Sequence, residues 1–393
     1  MKRRLNGVAL AAVCLWVGLP AYAADLSVDM VYLRQLVEAP PTLSNLDPVP
    51  EDLGQSGAEL GLADNLTTGQ FLGHGYSLEV IEVDVGGDLI AAAADALAKS
   101  QVIIAALPSE ALLQVADLPA ARDAMIFNAL SEDPDVRDAE CRANVLHTIP
   151  SYGMRADALA QFAVKKRWTK WALIEGEYAA DQAFAAALRK AANKFNLKIA
   201  GAKVWAFDAD MRRNAAQEVP LFTQDLGEYD LLIVADELHD FGRYVAYNTW
   251  LPRPVAGSEG LAPEAWSDVV EQWGAAQLQS RFEKLAGRPM QSQDYAAWAA
   301  VRAIGEAVTR TQSDDIAVLR EFILGPDFEL AGFKGRPLSF RAWNGQLRQP
   351  IPLVQPRALA ANAPIEGFLH QRNELDTLGI DAAESACQAF AGE

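Results

Sequence analysis

Seven carboxylates fall just after short apolar runs of this chain: Glu110, Glu132, Asp133, Glu175, Glu177, Asp236 and Glu237. One base, Arg34, stands at a matching place. Ser109, Asn128 and Ser131 bring hydroxyl and amide groups to the same positions, and Tyr152 lies just past a run ending at Pro150. If those runs are parallel strands, the side chains sit beyond the carboxyl ends, where open α/β sheets bind their ligands. Ser109, Glu110, Asn128, Ser131, Tyr152, Glu175, Glu177, Asp236 and Glu237 are then the candidate ligand contacts. Acids brought together there need neutralising, because an unpaired buried charge costs about several kcal/mol. Carboxylate oxygens at variable geometry suit large hard cations such as calcium. A trivalent lanthanide, bare or held by a small chelator, would gain more from the same oxygens. Glu110, Glu132, Asp133, Glu175 and Asp236 are the candidate metal ligands. A second reading stands beside this one: the acids are solvated rim residues, Ser109 and Asp181 are helix caps, and the ligand is organic and neutral.

Other chemistry lacks its residues. There is no GxxxxGK[ST], HExxH or GxSxG, and no glycine-rich phosphate loop follows a strand. His74, His147, His239 and His370 are scattered without ligand spacing. No nucleophile and base pair up in the sequence, so binding is expected rather than catalysis. No resident cofactor is implied; an ion would be the ligand itself.

The elements that must hold these positions alternate in period. Residues 26–33, 77–85, 101–107 and 124–128 read as strands, and 57–68 and 89–99 as helices. A second series follows: helix 156–166, strand 171–176, helix 181–195 capped by Asp181, and strands 197–207 and 229–236. This βαβα order implies parallel sheets with helices on both faces. A helix marked by Trp266, Val269, Trp273 and Leu278 comes next. Residues 293–308 form a helix apolar nearly all round, and 314–323 one more. Residues 338–343 and 346–355 read as a hairpin turned at Asn344-Gly345. Residues 356–393 show no strong period.

The first 23 residues have a basic start (Lys2, Arg3, Arg4), an apolar core from Val8 to Leu19, and Ala21-Tyr22-Ala23. That is the form of a cleaved secretory signal peptide. Cys14 lies inside the apolar core and fits a lipid-attachment signal poorly. Cleavage leaves Cys141 and Cys387, which an oxidising periplasm would join, tethering the tail to the body. Acids outnumber bases 52 to 34, for a net charge of −18. A nucleic-acid binder needs a basic surface, so that class is excluded.

Two α/β lobes behind an export signal resemble the type I periplasmic solute-binding proteins, the branched-chain amino-acid-binding class of ABC transporter receptors. Gly57-Ala58-Glu59-Leu60 through Asn65 looks like that family's first helix. Leu78-Glu79-Val80 with Asp84 looks like its second strand, and Phe340 with Asn344-Gly345-Gln346 like its late hairpin. Segments 249–261, 273–282, 294–308, 340–351, 367–371 and 375–379 resemble a narrower subgroup. That subgroup accompanies pyrroloquinoline-quinone-dependent alcohol dehydrogenase systems, some of them linked to lanthanide use. The resemblance implies a periplasmic monomer with two Rossmann-like lobes around a hinged cleft. It implies a small solute or metal complex as ligand, an ABC permease as partner, and a quinoprotein dehydrogenase as a further partner. The first lobe would take 24–148 and about 257–337, the second 149–256 and about 338–355, leaving 356–393 as an irregular tail. The family's amino-acid receptors use Ser/Thr-rich loops. Here those loops read Leu107-Pro108-Ser109-Glu110 and Asn128 to Asp133, which speaks against a free amino acid.

Overall fold

A computed structural model describes residues 26–38, 48–205 and 211–391. The signal-peptide reading of residues 1–23, Cys14 included, lies outside the described residues. No helix among the described residues is long and apolar enough to cross a membrane.

The first lobe is a five-stranded parallel sheet in the order β2-β1-β3-β4-β5. Its strands are β1 (Leu26–Gln35), β2 (His74–Val83), β3 (Val102–Ala106), β4 (Met125–Asn128) and β5 (Val145–His147), with helices α1 (Gln55–Leu72), α2 (Leu89–Lys99) and α3 (Ser109–Ala116). The inner strands β3 and β4 are buried throughout, as expected of apolar strands covered on both faces. Helix α2 has the expected limits. Leu89, Ala93, Ala96 and Leu97 face the core, and the Asp88 carboxylate accepts from the Ala91 N–H at its start.

The second lobe repeats the plan. Helix α4 (Tyr152–Lys166) leads into β6 (Lys170–Glu175), α5 (Ala179–Lys194), β7 (Lys198–Val204), α6 (Met211–Thr223), β8 (Leu231–Ala235), α7 (Gly242–Val245) and β9 (Val255–Gly257). Its parallel sheet runs β7-β6-β8-β9. The short β10 (Ala262–Pro263) follows. Asp181 is not the cap of α5: Tyr178 is, and Asp181 sits three positions inside, its carboxylate accepting from the Tyr178 N–H in a capping box.

The chain then returns to the first lobe with α8 (Ala275–Ala286), α9 (Ser292–Thr311), α10 (Ile316–Leu324), β11 (Leu330–Ala331), β12 (Pro337–Phe340) and β13 (Leu347–Arg348). The helix expected from Trp266 begins only at Ala275. Trp273 and Gly274 both have positive φ, which breaks any helix there. Trp266 is buried for another reason, stacking on Tyr295 at 4.9 Å. Helices α1 and α9 cross so closely that a Cβ on Gly57 would lie 1.9 Å from the Asp294 carbonyl oxygen.

Strand β14 (Ile351–Gln355), within the expected strand 346–355, pairs antiparallel with β15 (Ala358–Ala363), which falls inside the region expected to be irregular. The two cores divide the later part of the chain between them. Leu338, Phe340 and Leu347 pack into the first core, whereas Ile351 and Leu353 pack into the second. The third passage between lobes therefore falls near 349–350. The second falls near 264, since Leu261 joins the second core and Ala265 the first. Past β15 the tail touches both lobes. Leu378 enters the second core, Phe390 enters the first, and Cys387 is disulfide-bonded to Cys141 with Cα atoms 5.6 Å apart.

Candidate functional site

The strand ends of the first lobe carry hydroxyls. Ser109 opens α3 after β3, and its Oγ lies 2.8 Å from the Ser131 Oγ in the loop after β4. Asn128 builds that loop. Its side chain is fully buried; Oδ1 accepts from the Ser131 N–H, while Nδ2 donates to the Ser131 carbonyl and meets His147 Nδ1 at 3.0 Å. His147 is thereby fixed as an acceptor at Nδ1. Burial and the nearby Arg137 push its pKa well below the usual histidine range, so it is neutral. Glu110 is exposed on α3 and accepts from the Gln114 side chain. A groove of about 510 Å³ opens beside it, bounded by Gln35, Gly87, Pro108 and Gln114.

The strand ends of the second lobe carry acids, and Glu175, Asp236 and Glu237 each have a partner. Glu175, at the end of β6, is held by both terminal nitrogens of Arg189 at 2.7 Å. Asp236 follows β8 fully buried. It accepts from the N–H groups of Asp240, Phe241 and Gly242 at 2.6–2.9 Å, which organises the turn into α7. Burial still raises its pKa. Asp181 accepts from the Glu237 N–H at 2.7 Å and is pushed up to about 6 by burial, with the Asp236 charge adding to the rise. Glu177 is exposed after β6. His239 reaches Glu259 at 3.0 Å, and that hydrogen bond raises its pKa to about 9.

Between the lobes sits a residue that the sequence did not mark. Arg155, on the first turn of α4, donates to Glu132 of the first lobe at 2.8 Å and to Glu237 of the second at 2.5 Å. Its Nε donates to the Pro263 carbonyl, and the guanidinium lies 4.6 Å from the centre of the Phe184 ring. Ser258 Oγ donates to Glu237 from the other side at 2.7 Å. Tyr152 is partly buried against the same guanidinium, and burial with the two carboxylates raises its pKa. Burial pushes Glu132 up to about 7 against the pull of Arg155, with Glu237 adding to the rise. Arg137 is a second unmarked anchor. It is buried in the loop after β4 and donates to the carbonyls of Asp133, Ser131 and Ile149.

The candidate metal ligands do not assemble. Glu110 is alone on α3, Asp133 accepts from the Asp135 N–H, Glu132 and Glu175 have arginines, and Asp236 has three N–H groups. Among the described residues no three His, Cys, Asp or Glu side chains come together to hold an ion. Arg155 and Arg189, which arrive from helices rather than from strand ends, answer three of the seven acids, Glu132, Glu237 and Glu175.

The fold is a type I periplasmic-binding-protein fold, and comparison with known proteins bears this out. The family described as "Periplasmic binding protein" matches residues 51–215. A branched-chain amino acid ABC transporter periplasmic ligand-binding protein from Burkholderia xenovorans LB400 superimposes with TM-score 0.70 at 14% identity, covering 92% of this chain and all of that one. A leucine-, isoleucine-, valine-, threonine- and alanine-binding protein from Brucella ovis gives TM-score 0.64 at 13% identity, over 86% of this chain and 92% of its own. An ABC transporter solute-binding protein from Rhodopseudomonas palustris BisB5, in complex with 3,4-dihydroxybenzoic acid, gives 0.60 at 12%, over 84% and 93%. No curated protein matches the chain.

Proposed function

We propose that this chain is the periplasmic solute-binding component of an ABC transporter, taking a small organic solute between its lobes and presenting it to a membrane permease. The observation that carries this is the pair of parallel-sheet lobes joined by three short passages, with polar strand ends in each. Such lobes close by hinge motion around a ligand. The matches to solute receptors over most of the chain support the same reading. The partners found for the acids favour an organic solute over a bare calcium or lanthanide ion; a metal–chelator complex would have to be held through its organic part. The place we assign it, beside pyrroloquinoline-quinone-dependent alcohol oxidation, rests on the subgroup-like segments such as 249–261 and 340–351.

A thermal-shift panel of leucine, 3,4-dihydroxybenzoate, calcium chloride and lanthanum chloride tests this reading. An upward shift with an organic solute and none with the salts is expected. A shift with lanthanum alone would overturn the organic solute, and no shift with any organic solute would oppose the receptor. One observation favours a second reading, docking on a quinoprotein dehydrogenase. Tyr247 and Trp250 are 93% and 59% exposed on the second lobe. Co-elution with that enzyme, lost in Tyr247→Ser with Trp250→Ser, would support it.

A further inference from the structure

A groove of about 760 Å³ lies beside the hinge, away from most of the strand ends; of the candidate contacts only Asp133 borders it. That volume is typical of small-molecule sites. It has three walls. One is the loop after β4, one is the face of α4 and α5, and one is the tail around Ile380 and Glu384.

The floor is apolar and the rim is acidic. Ala183, Ala187 and Ala191 present small side chains from α5, and Ile380 closes the floor from the tail. Deeper in, Asp157 and Lys194 neutralise each other at 2.7 Å. Around the rim stand Asp133, Asp135, Asp138 and Glu384, none in an ion pair among the described residues. Asp133, Asp138 and Glu384 accept from backbone N–H groups, and the buried Arg137 guanidinium answers part of the Asp133 charge. Lys190 is the one further base on the rim, so the acids exceed it by three.

We propose that this groove is a second ligand site, for a small amine with a short apolar stem, a linear diamine or polyamine being the matching class. The stem lies on the alanine floor and the ammonium groups meet the rim carboxylates. The proposal is independent of what the interlobe cleft binds. Charge-assisted bonds to ammonium are about twice as strong as neutral ones, and a cationic ligand also relieves the repulsion among the rim acids.

Titration calorimetry of the full mature chain with 1,5-diaminopentane and spermidine tests it at low salt. One site per chain is expected. Asp135→Asn with Glu384→Gln, both exposed positions, should weaken binding at least about tenfold with the melting temperature unchanged. Ala186→Leu, at another exposed position lining the floor, should weaken it comparably by filling the groove. Asp123→Asn with Glu271→Gln removes the same charge from the surface elsewhere and should leave affinity within about twofold. Absence of amine binding would overturn the proposal. So would equal loss in both double variants, which would mean that the amines only screen a chain of net charge −18.

Discussion

At the carboxyl end of β3, Glu110 is exposed and accepts from Gln114, whereas at the carboxyl end of β8, Asp236 is fully buried and accepts three backbone N–H groups. The same contrast holds for their neighbours. Ser109 and Ser131 of the first lobe share one hydrogen bond and keep further hydrogen-bonding capacity. Asp181, Glu237 and Glu175 of the second lobe are bonded to N–H groups, a hydroxyl or arginines. The first-lobe edge therefore has unused valence beside an open groove, and the second-lobe edge, Glu177 aside, has consumed its charges in holding its loops. A solute would dock first on the first lobe and be covered by the second.

The largest blow to that contrast is Arg155→Met. It strands Glu132 and Glu237, both about nine-tenths buried, and should cost about 3–5 kcal/mol in urea unfolding. Adding Glu132→Gln and Glu237→Gln should recover most of the loss. An unchanged midpoint in the single variant would mean that charge pairing does not hold the lobes' junction. Next comes the tether of the tail. Cys141→Ser with Cys387→Ser should cost about 2–4 kcal/mol, read by the same denaturation. Asp236→Ala leaves three N–H groups without an acceptor and should cost about 1–3 kcal/mol, while Asp236→Asn should cost less because the amide oxygen still accepts.

The pH dependence sharpens the contrast further. Burial lifts Glu132 from 4.5 to about 7, so the folded chain keeps a proton that the unfolded chain releases. Its contribution to stability falls as pH rises through that window. Asp181 acts in the same direction between 3.8 and about 6. His239, raised to about 9 by Glu259, adds stability below about 6.5 that is lost as pH climbs towards 9. Urea midpoints measured across these windows should flatten in Glu132→Gln between 4.5 and 7 and in His239→Gln above 6.5. A wild-type slope unchanged by either substitution would contradict these assignments. The smallest effect on stability belongs to Glu110→Gln, within about 0.5 kcal/mol. Its effect should appear instead in solute affinity, several-fold in either direction.

The strands and most helices were legible because the apolar period acts locally: α2 spans Leu89–Lys99, the limits that spacing suggests. Positions set by partners far along the chain were not. The spacing of Trp266 and Trp273 imitated a helix although two residues at positive φ break it. The strand Ala358–Ala363 is poor in β-branched residues, and its pairing with Ile351–Gln355 supplies the order. Arg155 was missed for a related reason. On α4 it is one polar residue in a helical run, and its role exists only once Glu132 and Glu237, 23 and 82 residues away, meet it. The acids were seen and their partners were not, which is why a cation site looked attractive from the sequence.

Small-angle scattering of the chain tests the central claim most directly, with and without whichever organic solute raises its melting temperature. The account predicts a smaller radius of gyration on solute addition, and the same compaction in Glu175→Gln, whose charge is already answered by Arg189. A solute that binds tightly while the scattering profile stays unchanged would contradict the two-lobed receptor.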